Sequence, residues 1–278
     1  MDYVELNIRV ADDEQSEIIV AELADYPFES FTNEGHILKA YIPRDTLADC
    51  MEQVNAQLDR YGIADRRYVE IEQQNWNALW ESRFEPVEID GRVIVRAPFH
   101  APRPEYGEME IVVMPQMSFG TGHHATTRLM VEAMLEIDLE GKQVLDMGSG
   151  TGVLSIVAVK RGAAHVDAVD IDDMAFSNCG ENASANGAAD RITPILGDVR
   201  MVAGRHYDTI LANINRNILL RDMPAYAEML HDGGRLIMSG FLDADVQTIR
   251  EAALALNMKE VQRKSDEGWS AVGFVMER

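Results

Sequence analysis

Two glycine-rich runs could carry chemistry in this chain. One is SFGTGHHATT, residues 118–127, and the other is DMGSGTG, residues 146–152. Their separation of about twenty residues is that of neighbouring turns in a βαβ unit. Each run could cradle a phosphate, help hold a metal, or let a ligand approach the backbone. The first is not a phosphate loop of the G-x-x-x-x-G-K-[ST] type, because no Lys follows Gly122. His123 and His124 are neighbours, so their side chains diverge instead of sharing one helical face as H-x-x-x-H ligands do. With no cysteine cluster nearby, no metal site is expected.

The second run follows the apolar strand pattern QVLDM and opens a helix. Glycines there let a ligand meet the backbone with no Cβ between them. A dinucleotide pocket wants G-x-G-x-x-G, but Gly148, Gly150 and Gly152 place the third glycine one residue early and position 153 is Val. The pattern G-x-G-x-G after the acid Asp146 resembles the first motif of class I S-adenosylmethionine-dependent methyltransferases. In HVDAVDID, Asp170 ends the next strand about 20 residues on, where a carboxylate can accept both hydroxyls of a ribose. Asp172 and Asp173 read as the cap and first turn of the following helix. Asp198 ends the third strand, where it serves either as a turn residue or as a partner for an adenine amino group. Asn213, in LANIN, ends the fourth. Class I enzymes acting on amines often carry Asn-Pro-Pro-aromatic there; Asn213 matches, while Ile214 and Asn215 stand in place of the prolines.

The elements that must position these residues are readable from periodicity. Val4, Leu6, Ile8 and Val10 alternate with polar residues, a half-buried strand. A helix over 13–25, a hairpin around Asn33-Glu34-Gly35, a helix over 45–61 and a strand over 67–73 follow. In the second helix Leu47, Met51, Val54, Leu58 and Tyr61 form one apolar stripe. The order β-α-β-β-α-β is the ferredoxin-like pattern. QNWNALWESRFEP places Trp76, Leu79, Trp80 and Phe84 at helical spacing before Pro86, a stiff connector. Strands around the Asp90-Gly91 turn and a bend at APRP come next. From 127 onward helices alternate with short apolar strands, which implies a mostly parallel sheet covered on both faces. The chain closes with two strands split at Glu267-Gly268, an antiparallel hairpin at the sheet edge. The expected organisation is an α+β domain over 1–72, a helical linker over 73–86 and an α/β domain over 87–278.

Composition bounds the partners. The chain has 278 residues and a net charge of −22, about half of it within residues 1–84. Bare nucleic acid is a poor partner for such a surface, because phosphate binding needs Lys and Arg. A basic protein is favoured. No apolar run approaches the roughly 18 residues that span a bilayer, and MDYVELNIRV has no leader pattern. Two widely spaced cysteines, Cys50 and Cys179, exclude a disulfide framework and fit a reducing cytoplasm. A monomer is expected.

Taken together, SFGTGHHATT, NWNALWESRFEPVEI, LDMGSGTGVLSI, VDIDDMA and LANINRNIL resemble the ribosomal protein L11 methyltransferase family. The likeness runs from the connector to the end; over residues 1–70 only the ferredoxin-like pattern agrees. Ser149 stands where the family often has Cys. The resemblance implies an α/β class I methyltransferase sheet with a small substrate-gripping N-terminal domain. It implies transfer of methyl groups from S-adenosylmethionine, leaving S-adenosylhomocysteine, to lysine side chains and the α-amine of a ribosomal protein. Methylation of another protein, an RNA or a small amine is the alternative, and a partner-binding protein on the same scaffold is a third. By similarity the cofactor meets Thr127, Gly148, Asp170 and Asn213, with Asp146, Gly150, Gly152 and Asp198 around it. Phe119, Gly120 and Thr126 then belong to a lid over its methionine end, hinged at Gly120 and Gly122, with Thr126 or Thr127 as the helix N-cap. Asn213 is the expected orienter of the amine, and His123 a candidate base.

Overall fold

The computed structural model describes residues 3–71, 84–115 and 119–278; the side chains of Ile71 and Glu108 are not described. Most of the connector read over 73–86, including both of its tryptophans, and residues Gln116–Ser118 lie outside that set. The chain divides into two compact units at Phe84/Glu85, within the stretch read as the linker.

The N-terminal unit holds β1 (Tyr3–Arg9), α1 (Asp13–Leu23), β2 (Ser30–Glu34), β3 (Ile37–Pro43), α2 (Arg44–Arg60) and β4 (Arg66–Ile71). Its antiparallel sheet runs β2-β3-β1-β4, the split-βαβ order expected. Alternation in β1 buries Val4, Leu6 and Ile8; α1 and α2 close over Leu6 and Ile8 with Ile19, Leu23, Val54 and Leu58, while Val4 packs with Ile42 and Leu47. The stripe read along α2 is narrower than expected. Leu47, Val54 and Leu58 are buried, whereas Met51 and Tyr61 face outward. The Tyr61 hydroxyl instead donates to Glu22 at 2.6 Å.

The second unit opens with β5 (Val87–Ile89), β6 (Val93–Arg96) and β7 (Glu110–Val112), a small sheet in the order β5-β6-β7. Asp90 and Gly91 both take positive φ at the β5–β6 turn, the two-residue hairpin geometry that an Asp-Gly pair favours. After β7 the chain reaches α3 (Ala125–Leu135), β8 (Gln143–Met147), α4 (Val153–Lys160), β9 (His165–Asp170), α5 (Asp173–Ala185), β10 (Ile192–Leu196), β11 (Tyr207–Asn213), α6 (Arg216–Met229), β12 (Leu230–Leu242), α7 (Val246–Leu254), β13 (Met258–Asp266) and β14 (Trp269–Met276).

The large sheet runs β10-β9-β8-β11-β12-β14-β13. It is parallel from β10 through β12, and β14 and β13 join antiparallel at the end. One face buries α3, α4 and α5 against it, the other α6 and α7. The strand order reverses between β8, which neighbours β9, and β11, so the carboxyl ends of those strands flank the crevice where ligands of such sheets bind.

Candidate functional site

β8 is the central strand of the five parallel ones, and its penultimate residue, Asp146, is fully buried. Its Oδ2 accepts from the Ser155 N–H at 3.1 Å and from the Ser155 hydroxyl at 2.6 Å. Among the described residues its Oδ1 has no hydrogen-bond partner. Burial, with the nearby Asp170 charge adding to it, pushes the Asp146 carboxyl up to about 6. The loop Gly148-Ser149-Gly150-Thr151-Gly152 then folds over the end of β9, with the Gly148 and Ser149 N–H groups donating to the Val169 carbonyl at 2.8 and 3.1 Å.

Asp170 sits where the sequence reading puts it, at the carboxyl end of β9. Its Oδ2 accepts from the Gly150 N–H at 2.9 Å, and its Oδ1 from the Asp172 N–H at 3.1 Å. Each oxygen keeps capacity for a further donor. Asp172 caps α5 through the Met174 and Ala175 N–H groups, with Asp173 in the first turn. Ile171, between them, leaves 74% of its surface exposed. The sequence reading did not single out this apolar side chain beside the carboxylate.

Asn213 ends β11, half-buried, and among the described residues nothing hydrogen-bonds its side-chain amide. Ile214 replaces the first proline of the amine-enzyme pattern and packs into the gap that Gly148 leaves. A Cβ at Gly148 would lie 2.2 Å from Ile214 Cγ2. Asn215 caps α6 by accepting from the Ile218 N–H at 3.1 Å. Asp198 caps a short 3-10 turn, and Arg200 takes both of its carboxylate oxygens. The Arg200 side-chain hydrogen bond, reinforced by the Arg200 N–H, holds Asp198 down at about 2.

The two glycine runs are bonded to each other through one residue. The Thr151 N–H donates to the Phe119 carbonyl at 2.8 Å, and the Thr151 hydroxyl to the Gly120 carbonyl at 2.7 Å. The closeness explains Gly150: a Cβ there would stand 2.2 Å from the Phe119 carbonyl oxygen, at a φ of +53°. The Phe119 side chain itself is exposed. Gly120 and Gly122, the expected hinge, both take positive φ.

The expected helix cap is corrected. α3 starts at Ala125, and its N-cap is His124, whose Nδ1 accepts from the Thr126 N–H at 3.3 Å and contacts the Thr126 hydroxyl at 2.8 Å. Thr126 and Thr127 lie buried inside the first turn. The imidazole ring also packs edge-on to Trp269 at 4.8 Å, which ties the start of α3 to the tip of the β13–β14 hairpin. Arg128 reinforces that joint through Asp266 at 2.8 Å and Glu267 at 3.4 Å. His123 is exposed and pairs with the Thr121 hydroxyl at 3.0 Å. Cys179 is fully buried against Gly152, and burial pushes its thiol up to about 12, so it is packing and not a nucleophile. Among the described residues no group of His, Cys, Asp and Glu could hold a metal ion.

Thr151, Asn178 and Asn182 form part of this site but were not singled out from the sequence. The signal was present: Asn recurs every four residues in NCGENASAN, a spacing that puts the amides on one helix face.

A curated relative from Porphyromonas gingivalis, named ribosomal protein L11 methyltransferase, is 43% identical over 264 residues, covering 93% of this chain and 90% of the relative. One of the same name from Phocaeicola vulgatus is 42% identical over 267 residues, covering 94% of each. Among solved structures, the ribosomal protein L11 methylase of Lactobacillus delbrueckii subsp. bulgaricus superposes with a TM-score of 0.64 at 25% identity, covering 70% of this chain and all of that one. A methyltransferase from Pyrococcus furiosus shares the fold, with a TM-score of 0.52 at 14% identity over 60% of this chain and 90% of that one. The family described as ribosomal protein L11 methyltransferase (PrmA) matches residues 6–277. With its doubly wound sheet and its paired glycine loops, the chain belongs to that family.

Proposed function

We propose that this chain transfers methyl groups from S-adenosylmethionine to lysine side-chain and N-terminal amines of ribosomal protein L11. The observation that carries the reading is the convergence of three features at the switch point of the sheet. They are the Asp170 carboxylate with spare acceptor capacity, the glycine loop that follows the buried Asp146, whose Oδ1 has no partner among the described residues, and the half-buried Asn213, whose amide nothing hydrogen-bonds among the described residues.

The donor set suits a nucleoside that ends in a cationic chain. The Asp170 carboxylate can accept ribose hydroxyls, and the exposed Ile171 offers an apolar face for a flat base. Asp146 has a buried oxygen with no donor, so it holds negative potential beneath the loop and favours a cation above it. When bound, S-adenosylmethionine supplies a methyl group already activated by a sulfonium charge. The protein's own contribution is then alignment and exclusion of water. Such positioning is worth roughly 7–11 kcal/mol in well-oriented systems.

The attacking amine must be neutral, and a free lysine loses its proton only near pH ~10. Asn213 Oδ1 can accept from the amine and aim its lone pair at the methyl carbon. It cannot itself take the proton, which leaves to water or to His123. An amide that orients without charge suits successive methylations, because the amine must turn between rounds. The acidic surface favours a basic protein over RNA.

The deciding experiment incubates the protein with radiolabelled S-adenosylmethionine and ribosomal proteins from cells lacking this methylation. Label confined to the L11 band is the expected result. Label in RNA or in small molecules, or cofactor binding with no transfer, overturns the reading.

A further inference from the structure

Asn178, Asn182 and Asn186 present three carboxamides to the chain leaving β7. Asn186 is bidentate on Val112: its Nδ2 donates to the Val112 carbonyl at 2.6 Å, and its Oδ1 accepts from the Val112 N–H at 2.9 Å. Asn182 and Asn178 share the same task at Met114. Asn182 Oδ1 accepts from the Met114 N–H at 2.9 Å, and Asn178 Nδ2 donates to the Met114 carbonyl at 3.3 Å. Val113 points its N–H the other way, to the Arg96 carbonyl at 2.8 Å. A carboxamide carries the donor and acceptor of a peptide group, so the helix face stands in for a neighbouring strand.

The middle rung also reaches the other glycine loop. Asn182 Nδ2 donates to the Thr151 carbonyl at 2.9 Å and to Asn178 Oδ1 at 3.2 Å. Thr151 in turn bonds Phe119 and Gly120. The lid run is therefore gripped at its approach, by Met114, and at its base, by Phe119 and Gly120, and Asn182 joins the two grips. Asn178 and Asn182 are 0% and 1% exposed. Apolar residues would pack a helix against a strand without the cost of burying amides. They would also allow the strand to slide, whereas amide–peptide pairs admit one register.

We propose that this asparagine ladder is a positioning device for methyl transfer, in which Asn182 couples the chain entering the lid to the floor of the cofactor site. Cofactor on the glycine loop then tightens Met114 and Val112, and a fixed Met114 tightens the cofactor. The inference rests on the glycine loop being that floor, so the test separates the two ideas.

Amide hydrogen exchange is followed in the full chain with and without S-adenosylhomocysteine, and its Kd is measured for wild type, Asn182→Leu and Asn186→Ala. In wild type the ligand is expected to slow exchange at Gly150 and Thr151 and also at Val112 and Met114. In Asn182→Leu the Kd is expected to rise about tenfold, the worth of one to two hydrogen bonds, and the slowing at Met114 to vanish while that at Gly150 remains. A purely structural role would lower the melting temperature and leave Kd and the ligand-dependent slowing unchanged, which overturns the proposal. No slowing at Gly150 and Thr151 in wild type refutes the cofactor floor and the ladder with it. Slowing there but not at Met114 refutes the ladder alone. If Asn182→Leu does not fold, Asn186→Ala, at the helix end, decides. Its expected outcome is a Kd raised about threefold with the Val112 effect lost, and an unchanged Kd and Val112 response overturns the proposal.

Discussion

At the scale of single residues, Asp146 and Asp170 are two carboxylates given different work by their surroundings. Asp146 is held up at about 6 by burial, so the folded state binds its proton more tightly than the unfolded state does. Stability from this group is full below the ordinary carboxylate range and is lost as pH rises through about 6. Asp146→Asn keeps the shape and can still accept from Ser155, so it should stabilise the ligand-free protein. The gain should widen from pH 4 to about pH 6 and then stay flat, approaching about 3 kcal/mol for roughly two units of displacement. Urea unfolding at a series of pH values checks this, and a gain that is flat from pH 4 upward would remove the burial argument. Asp170→Ala, by contrast, should weaken S-adenosylhomocysteine binding by about 10- to 100-fold, the worth of charge-assisted hydrogen bonds. Calorimetric titration reads it, and near-wild-type affinity would strip Asp170 of its ribose role. The position of Asp170 was legible because the apolar alternation of HVDAVD ends its strand at that acid. His124 was not. Capping preferences point to Thr126 or Thr127, and the imidazole wins because Trp269, distant in sequence, packs against its ring.

At the scale of elements, periodicity located the strands and helices of the α/β sheet because most are short and many are bounded by a glycine, a capping acid or a capping asparagine. α3 begins two residues before the position read from its apolar pattern, since the cap lies in the histidine pair. Met51 and Tyr61 fit the stripe of α2 by spacing, yet the two-layer unit buries only Leu47, Val54 and Leu58 of that stripe. The asparagine spacing in α5 was visible, but its meaning was not. A buried amide needs a partner, and nothing local to the helix reveals that the partner is the backbone of residues 112–114. The contact between the glycine runs makes a sharp prediction for the second of them. Gly150→Ala adds a Cβ 2.2 Å from the Phe119 carbonyl, a backbone atom that cannot swing aside as a side-chain tip would. The positive φ adds about 1–2 kcal/mol. Cofactor affinity should fall at least tenfold while circular dichroism still reports the native fold, and wild-type affinity in the variant would show that the two loops separate without cost.

At the scale of the molecule, the two units carry separate cores, with Leu6, Ile8 and Ile19 in one and the flanks of the large sheet in the other. A chain beginning at Glu85 keeps every residue assigned to the cofactor. It should bind S-adenosylhomocysteine within about threefold of the full protein, given an unaltered set of contacts. Its methylation of L11 should fall by at least a hundredfold, because substrate held by a second unit reacts as if intramolecular. A truncated chain that still methylates L11 at the full rate would refute the gripping role of residues 1–72.

The face where α5 meets the chain after β7 also governs how molecules meet each other. A strand at the border of a sheet exposes alternate N–H and C=O groups, and these recruit strands from other molecules. At Val112 and Met114 those outward groups are already taken by Asn186, Asn182 and Asn178. The β7 border of the small sheet is therefore closed at these residues to strand addition by a second copy. Removing an amide would reopen it as a template for self-association.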